Sequence, residues 1–157
     1  ITGITLMNGY FRDINATQKA FLTDAQGVRW LKTGDLGAVD ADGYVYFLER
    51  IKRIVKVSGE SVFPEEIEAA VAPLPGVATC AAFGMPDERT GSRMVLCVER
   101  APGTDPEILR AEVRDVVARA VQEKARPKTI EIFDELPRTK MMKIDIAALI
   151  KQITDNR

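Results

Sequence analysis

Apolar residues recur along this chain with two different periods, and the alternation between them outlines most of its elements. Short apolar runs at 54–57, 77–83, 94–99 and 129–133 have the length and composition of strands. Between and after them, apolar positions return every three or four residues, as on the buried face of a helix. Ile67 and Val71 share one face of a helix predicted over 64–72. Ile108, Leu109, Val113, Val116, Val117 and Ala120 form one stripe on a long helix from about residue 105, and Ile146, Leu149, Ile150 and Ile153 repeat that geometry near 146–153. Each helix carries a start signal. Pro64 stands where a missing N–H costs nothing, and Glu65, Glu66 and Glu68 complement the positive end of the helix dipole. Thr104 or Asp105 can cap the second helix and Asp145 the third.

The first fifty residues follow a shorter pattern. A helical turn is predicted around 16–22, with strands near 28–31 and 44–48, and Asp40-Ala41-Asp42-Gly43 between apolar segments has the residues of a hairpin turn. The expectation is an α+β fold. Residues 52–157 form a small domain with a central sheet of about three to five strands flanked by three helices. Residues 1–51 form a short β-rich segment too small to stand alone, and an opening at Ile1 inside a strand-like run leads us to expect a truncated chain. No internal repeat is visible.

Composition narrows the chemistry more than the fold. Of 157 residues, 46% are hydrophobic and 29% charged, which suits a globular domain able to bury a core. Lys and Arg number 22 against 23 Asp and Glu, so a net charge of -1 gives no electrostatic reason to expect nucleic acid or an anionic membrane as partner. Histidine is absent, which removes Ser-His-Asp and Cys-His catalysis and imidazole-ligated metals together. No metal site is expected. Cys80 and Cys97 lie in apolar segments without a C-x-x-C spacing and read as reduced core residues. No apolar run reaches the ~18 residues of a membrane helix, and the expected location is the cytoplasm.

Charge becomes informative by position. The run from Glu49 to Glu68, ERIKRIVKVSGESVFPEEIE, crowds both signs around Ser58-Gly59, with Thr33-Gly34-Asp35 upstream and a basic stretch at 137–143 downstream. A Thr-Gly-Asp turn presents a carboxylate beside backbone that a ligand can approach closely, and two carboxylate oxygens suit a ribose diol. Gly59 permits a positive φ and close passage of a narrow ligand. Each residue also has a plain structural reading. Asp35 can be a turn or cap residue, Arg50 a solvated strand-end charge, Lys56 an exposed strand lysine, Gly59 a tight turn, and Lys143 a loop lysine before a helix.

The order of these motifs, together with Leu136-Pro137-Arg138-Thr139-Lys140-Met141-Met142-Lys143-Ile144, resembles the carboxyl-terminal part of the adenylate-forming acyl-CoA synthetases over nearly the whole chain. The last segment is similar to the family's L-P-[KR]-T-x-x-G-K-I. The resemblance implies that Asp35 holds the ribose hydroxyls of ATP and that Arg50 adds a nucleotide contact. It makes Lys52 the hinge, and turns Lys56, Ser58 and Gly59 toward the active site during thioester formation. Lys143 becomes the adenylation lysine, reaching both the substrate carboxylate and the α-phosphate. The implied reaction joins a carboxylic acid to coenzyme A at the expense of ATP, through an acyl-adenylate, releasing AMP and pyrophosphate. Mg2+ would be bound mainly by the chain's own N-terminal AMP-binding domain, whose C-terminal edge is residues 1–51, and the fragment alone is expected to be inactive. The alternative is a free-standing, non-catalytic binding or adaptor module of the same fold.

Two departures stand out. Met142 occupies the position where the family usually has glycine, so the loop is expected to be less free to adopt a positive φ. Ser61 stands where peptide-synthetase adenylation domains often carry arginine, which brings the run closer to acyl- and aryl-CoA ligases. Gly84-Met85-Pro86-Asp87-Glu88 with Thr90-Gly91 resembles a connecting loop between two strands, in which Asp87 bonds the turn backbone.

Overall fold

A computed structural model describes residues 1–155 and divides the chain into two units, the division falling between Lys52 and Arg53. In the first unit, helix α1 (Ile14–Ala20) begins where Asp13 accepts a hydrogen bond from the Ala16 amide at 2.8 Å. It starts two residues before the predicted position, and strand β1 (Phe21–Thr23) takes over at Phe21 to pair antiparallel with β2 (Arg29–Leu31). A second hairpin joins β3 (Asp35–Val39) to β4 (Val45–Arg50). Asp40 shapes its turn by accepting the Asp42 and Tyr44 amides at 3.0 and 2.9 Å, and Gly43 supplies φ +88°. Strand β3 was not expected. Only Gly34, at φ +77°, turns, and Asp35 already opens a strand.

The second unit opens with a tight hairpin, β5 (Val55–Val57) and β6 (Glu60–Val62). Ser58 and Gly59 connect them with φ of +51° and +84°, the two positive values that a type I′ turn requires. Helix α2 (Pro64–Val71) follows with Pro64 in its first turn. A three-stranded sheet forms the centre in the order β7-β8-β9, built from β7 (Val77–Asp87), β8 (Gly91–Arg100) and β9 (Thr129–Phe133). The first pair is antiparallel and the second parallel, so α3 (Pro106–Ala120) serves as the crossover that parallel neighbours need. Helix α4 (Ile146–Asp155) completes the unit, with Asp145 accepting the Ala148 amide at 3.0 Å.

Strand alternation assigns the layers. Met94, Leu96 and Val98 of β8 pack with Val57, Val62, Ile67, Val71, Leu109, Val113 and Val117, which places the β5-β6 hairpin, α2 and α3 on one face of the sheet. Val95 and Cys97, one residue out of phase, pack with Phe83, Leu136, Leu149 and Ile153, which places α4 and the segment before it on the other. Sheet and helices thus follow the expected α+β arrangement, with three strands in the central sheet. Both cysteines are free thiols.

Two details differ from expectation. On α3 the buried line is Leu109, Val113 and Val117, while Ile108 is 62% exposed and Ala120 also faces outward. A stripe drawn through six positions was wider than the contact. The segment 84–87 is strand rather than loop, pairing through Asp87 with Gly91, so that only residues 88–90 turn. Pro86 is tolerated there because β7 is an edge strand. Asp87 does bond the turn. Its Oδ1 accepts the Thr90 hydroxyl at 2.7 Å and the Thr90 and Arg89 amides at 2.9 and 3.2 Å. These bonds, the Thr90 hydroxyl foremost, hold the Asp87 carboxyl down at about 2.

Candidate functional site

In the first unit, strand register brings Asp35 and Arg50 together. They are direct partners across the β3-β4 pair, and Arg50 Nη1 lies 2.7 Å from Asp35 Oδ1. Thr33 completes the corner. Its carbonyl accepts Arg50 Nη1 at 3.0 Å and its hydroxyl accepts the Asp35 amide at 3.2 Å. A carboxylate and a guanidinium fixed at one strand end, both partly exposed, make a small polar platform suited to a sugar diol beside an anionic group. Arg50 is followed by a single turn of 3-10 helix, Ile51–Arg53, in which Lys52 is exposed and is the last residue of the first unit.

Lys56, Ser58 and Gly59 share one hairpin in the second unit. Val55 and Val57 on either side of Lys56 turn inward to the core, so alternation directs Lys56 away from the sheet. Its Nζ donates to Ser61 Oγ, directly across the strand pair, at 2.6 Å. Ser61 was noticed in the sequence only for not being arginine, and its place opposite Lys56 follows once the two-residue turn sets the register. The turn itself is exposed, and the Ser58 amide donates to the Thr90 carbonyl at 3.0 Å, tying it to the β7-β8 connection.

Lys143 sits elsewhere. The segment 136–144 is pinned at its start by Glu99 of β8, which accepts the Leu136 amide at 2.9 Å and pairs with Arg138 at 3.0 Å. It then folds into a closed turn, with the Thr139 amide donating to the Lys143 carbonyl at 2.7 Å and the Met142 amide to the Thr139 carbonyl at 2.9 Å. Met142 takes φ +61°, so the position adopts a left-handed conformation despite its side chain, contrary to the expected restriction. The closed turn over-determines the backbone there. Lys143 is exposed, and among the described residues its ammonium has neither hydrogen bond nor ion pair. Ile144 and Ile146, which follow it, pack into the layer of α4.

Apart from Lys52 in its 3-10 turn, the candidate residues therefore form three groups. Asp35 and Arg50 meet in the first unit. Lys56, Ser58 and Gly59 belong to a hairpin on one face of the β7-β8-β9 sheet, and Lys143 to a loop on the opposite face. Glu99 escaped sequence reasoning, as did the pairing of Thr33 with Arg50 and of Ser61 with Lys56, because these contacts run across strands or between residues far apart in sequence and carry no local signal.

Comparison with known proteins agrees with the motifs. Residues 66–143 match the family described as the AMP-binding enzyme C-terminal domain. A 4-coumarate–CoA ligase-like protein of Oryza sativa subsp. japonica is 36% identical over 140 residues, covering 89% of this chain and 24% of that protein. ATP-bound MatB from Rhodopseudomonas palustris superposes with a TM-score of 0.77 at 31% identity, over 94% of this chain and 28% of that one. The o-succinylbenzoate CoA synthetase from Bacillus subtilis, solved with its acyl-adenylate intermediate, gives a TM-score of 0.77 at 28% identity, over 99% of this chain and 30% of the other. The chain spans about a quarter of the length of the rice relative. Among the described residues, no helix is long and apolar enough to cross a membrane. Family match, relatives and superposed structures together show that this chain belongs to the adenylate-forming enzymes and carries their C-terminal domain.

Proposed function

We propose that the chain is the C-terminal part of a cytoplasmic AMP-forming acyl-CoA ligase, residues 1–51 closing the edge of the large AMP-binding domain and residues 52–157 acting as its lid. The observation that carries this reading is the separation of Lys56 and Lys143 onto elements on opposite faces of one three-stranded sheet. A rigid domain cannot turn both faces to the same pocket at once, so two lysines serving one pocket must do so in two poses. The exposed apolar side chains of the β3-β4 hairpin, including Val45 at 76% and Phe47 at 55%, suit a strand pair that a further layer covers.

In the first pose a carboxylate oxygen attacks the α-phosphorus of ATP, an acyl phosphate bond forms and pyrophosphate leaves. Lys143, with no competing partner among the described residues, offsets the charge that gathers on the reacting oxygens. Asp35 and Arg50 hold the nucleotide's ribose side. In the second pose the thiol sulfur of coenzyme A attacks the acyl carbonyl, AMP departs, and the thiol proton passes to solvent. The hairpin of Lys56, Ser58 and Gly59 then lines the approach, Gly59 leaving open space where a Cβ would stand. Mg2+ accompanies ATP on the large domain, and Lys52 is the pivot between the poses.

The test joins this chain to an adenylating domain of the family and follows carboxylate-dependent pyrophosphate release. Lys143→Ala is expected to lower that rate about 100-fold or more, the scale of losing one positioned charge at a developing anion. An unchanged rate overturns the assignment.

A further inference from the structure

We propose that Glu68 is a positioning residue for the pivot, a carboxylate that fastens the first residue beyond the division to the body of the second unit. The inference rests on the reading above, in which this unit turns as a lid. Arg53 is that first residue, and its Nη2 lies 2.5 Å from Glu68 Oε1. The same oxygen accepts the Ala82 amide at 2.8 Å. One carboxylate on α2 thus joins three segments: the start of the unit, the helix, and β7. Ala82 lies on an edge strand and is only 2% exposed, so its amide would otherwise be left without a partner.

Geometry favours a persistent contact. The Glu68 side chain is only 21% exposed, and a charge-assisted bond on a part-buried carboxylate is stronger than a solvated pair. Held in this way, the chain from Arg53 onward belongs to the rigid unit, and a change of backbone dihedral is absorbed at Lys52 and before it. A pivot defined so sharply returns the Lys56 hairpin and the Lys143 loop to the same poses at each turn. Released, the swivel spreads through residues 53–57 and the two poses lose their definition.

Two substitutions separate the two arms of the contact. Glu68→Gln keeps an oxygen for the Ala82 amide and removes the negative charge that Glu68 presents to Arg53, whereas Glu68→Ala loses both. In hydrogen exchange on the chain itself, Glu68→Gln is expected to quicken exchange in residues 54–57 about threefold or more while residues 94–98 exchange at the native rate. Arg53→Lys, which keeps the charge, is expected to retain most of the protection. In the protein joined to its adenylating domain, Glu68→Gln is expected to change the two half-reactions by unequal factors. Simple loss of folded protein would lower both alike. No change at 54–57, equal quickening at 94–98, or equal factors on both half-reactions overturns the proposal. Failure of the lid reading shows separately, as pyrophosphate release that survives Lys143→Ala, while exchange still reports the Arg53 contact.

Discussion

Replacing Met142 by glycine is expected to stabilise the second unit, an uncommon outcome for a substitution that removes a side chain. Met142 holds φ +61° in a turn closed on both sides by backbone hydrogen bonds, and a left-handed conformation costs a residue bearing a Cβ about 1–2 kcal/mol. Glycine relieves that strain but brings back about 0.5–1 kcal/mol of unfolded-state entropy. Little packing is lost, since Met142 is 73% exposed. The net expectation is a gain of about 0.5–1 kcal/mol, or a rise in Tm of about 2–6 °C for a unit of this size. Urea denaturation should show a higher midpoint with an unchanged slope. Met142→Ala is the control, because alanine keeps the Cβ and hence the strain, and it should show no gain. Equal gains for alanine and glycine would place the effect in the side chain, and a loss with glycine would refute the strain argument.

Other expectations follow from single contacts. Gly84→Ala should destabilise the second unit by about 1–3 kcal/mol in the same assay, because an added Cβ would stand 2.6 Å from Val55 Cγ1 and press the hairpin off the sheet; a neutral result would mean that the hairpin yields freely. Asp87 has a carboxyl held at about 2 against an ordinary 3.8. Its contribution to stability is therefore present above about pH 4 and lost as pH falls from there toward about 2. Asp87→Asn should flatten stability across that window, and an unaltered acid limb would remove the Thr90 bonds as its cause.

The helices of the second unit were legible because their signals are local. Pro64, Asp105 and Asp145 mark starts that the structure places within a residue, and Leu109, Val113 and Val117 keep strict helical spacing. Ile108 misled because a hydrophobic neighbour of a buried line looks the same in sequence whether it lies inside or at the margin. The first unit was harder to read. Val39, Tyr44, Val45, Tyr46, Phe47 and Leu48 are all exposed, so its strands lack the alternation that one buried face imposes. Strand β3 hid behind a Thr-Gly-Asp turn and an internal glycine at Gly37. At the site, residue identities came from motif resemblance, while their grouping came from topology. Nothing in the spacing of Lys56 and Lys143 says which face of a sheet each will occupy, because that depends on where α4 lands after β9. The Glu68 contacts with Arg53 and Ala82, fifteen and fourteen residues apart, were equally invisible.

Division of labour between the two lysines is best tested by running the half-reactions separately on the chain joined to its adenylating domain. One measurement supplies ATP and carboxylate and reads pyrophosphate; the other supplies preformed acyl-adenylate and coenzyme A and reads thioester. Lys143→Ala should lower the first about 100-fold or more and spare the second. Lys56→Ala should spare the first and slow the second about tenfold, the scale of one charge-assisted contact. Loss of the same half-reaction in both variants, to the same degree, would contradict a lid that presents its two faces in turn.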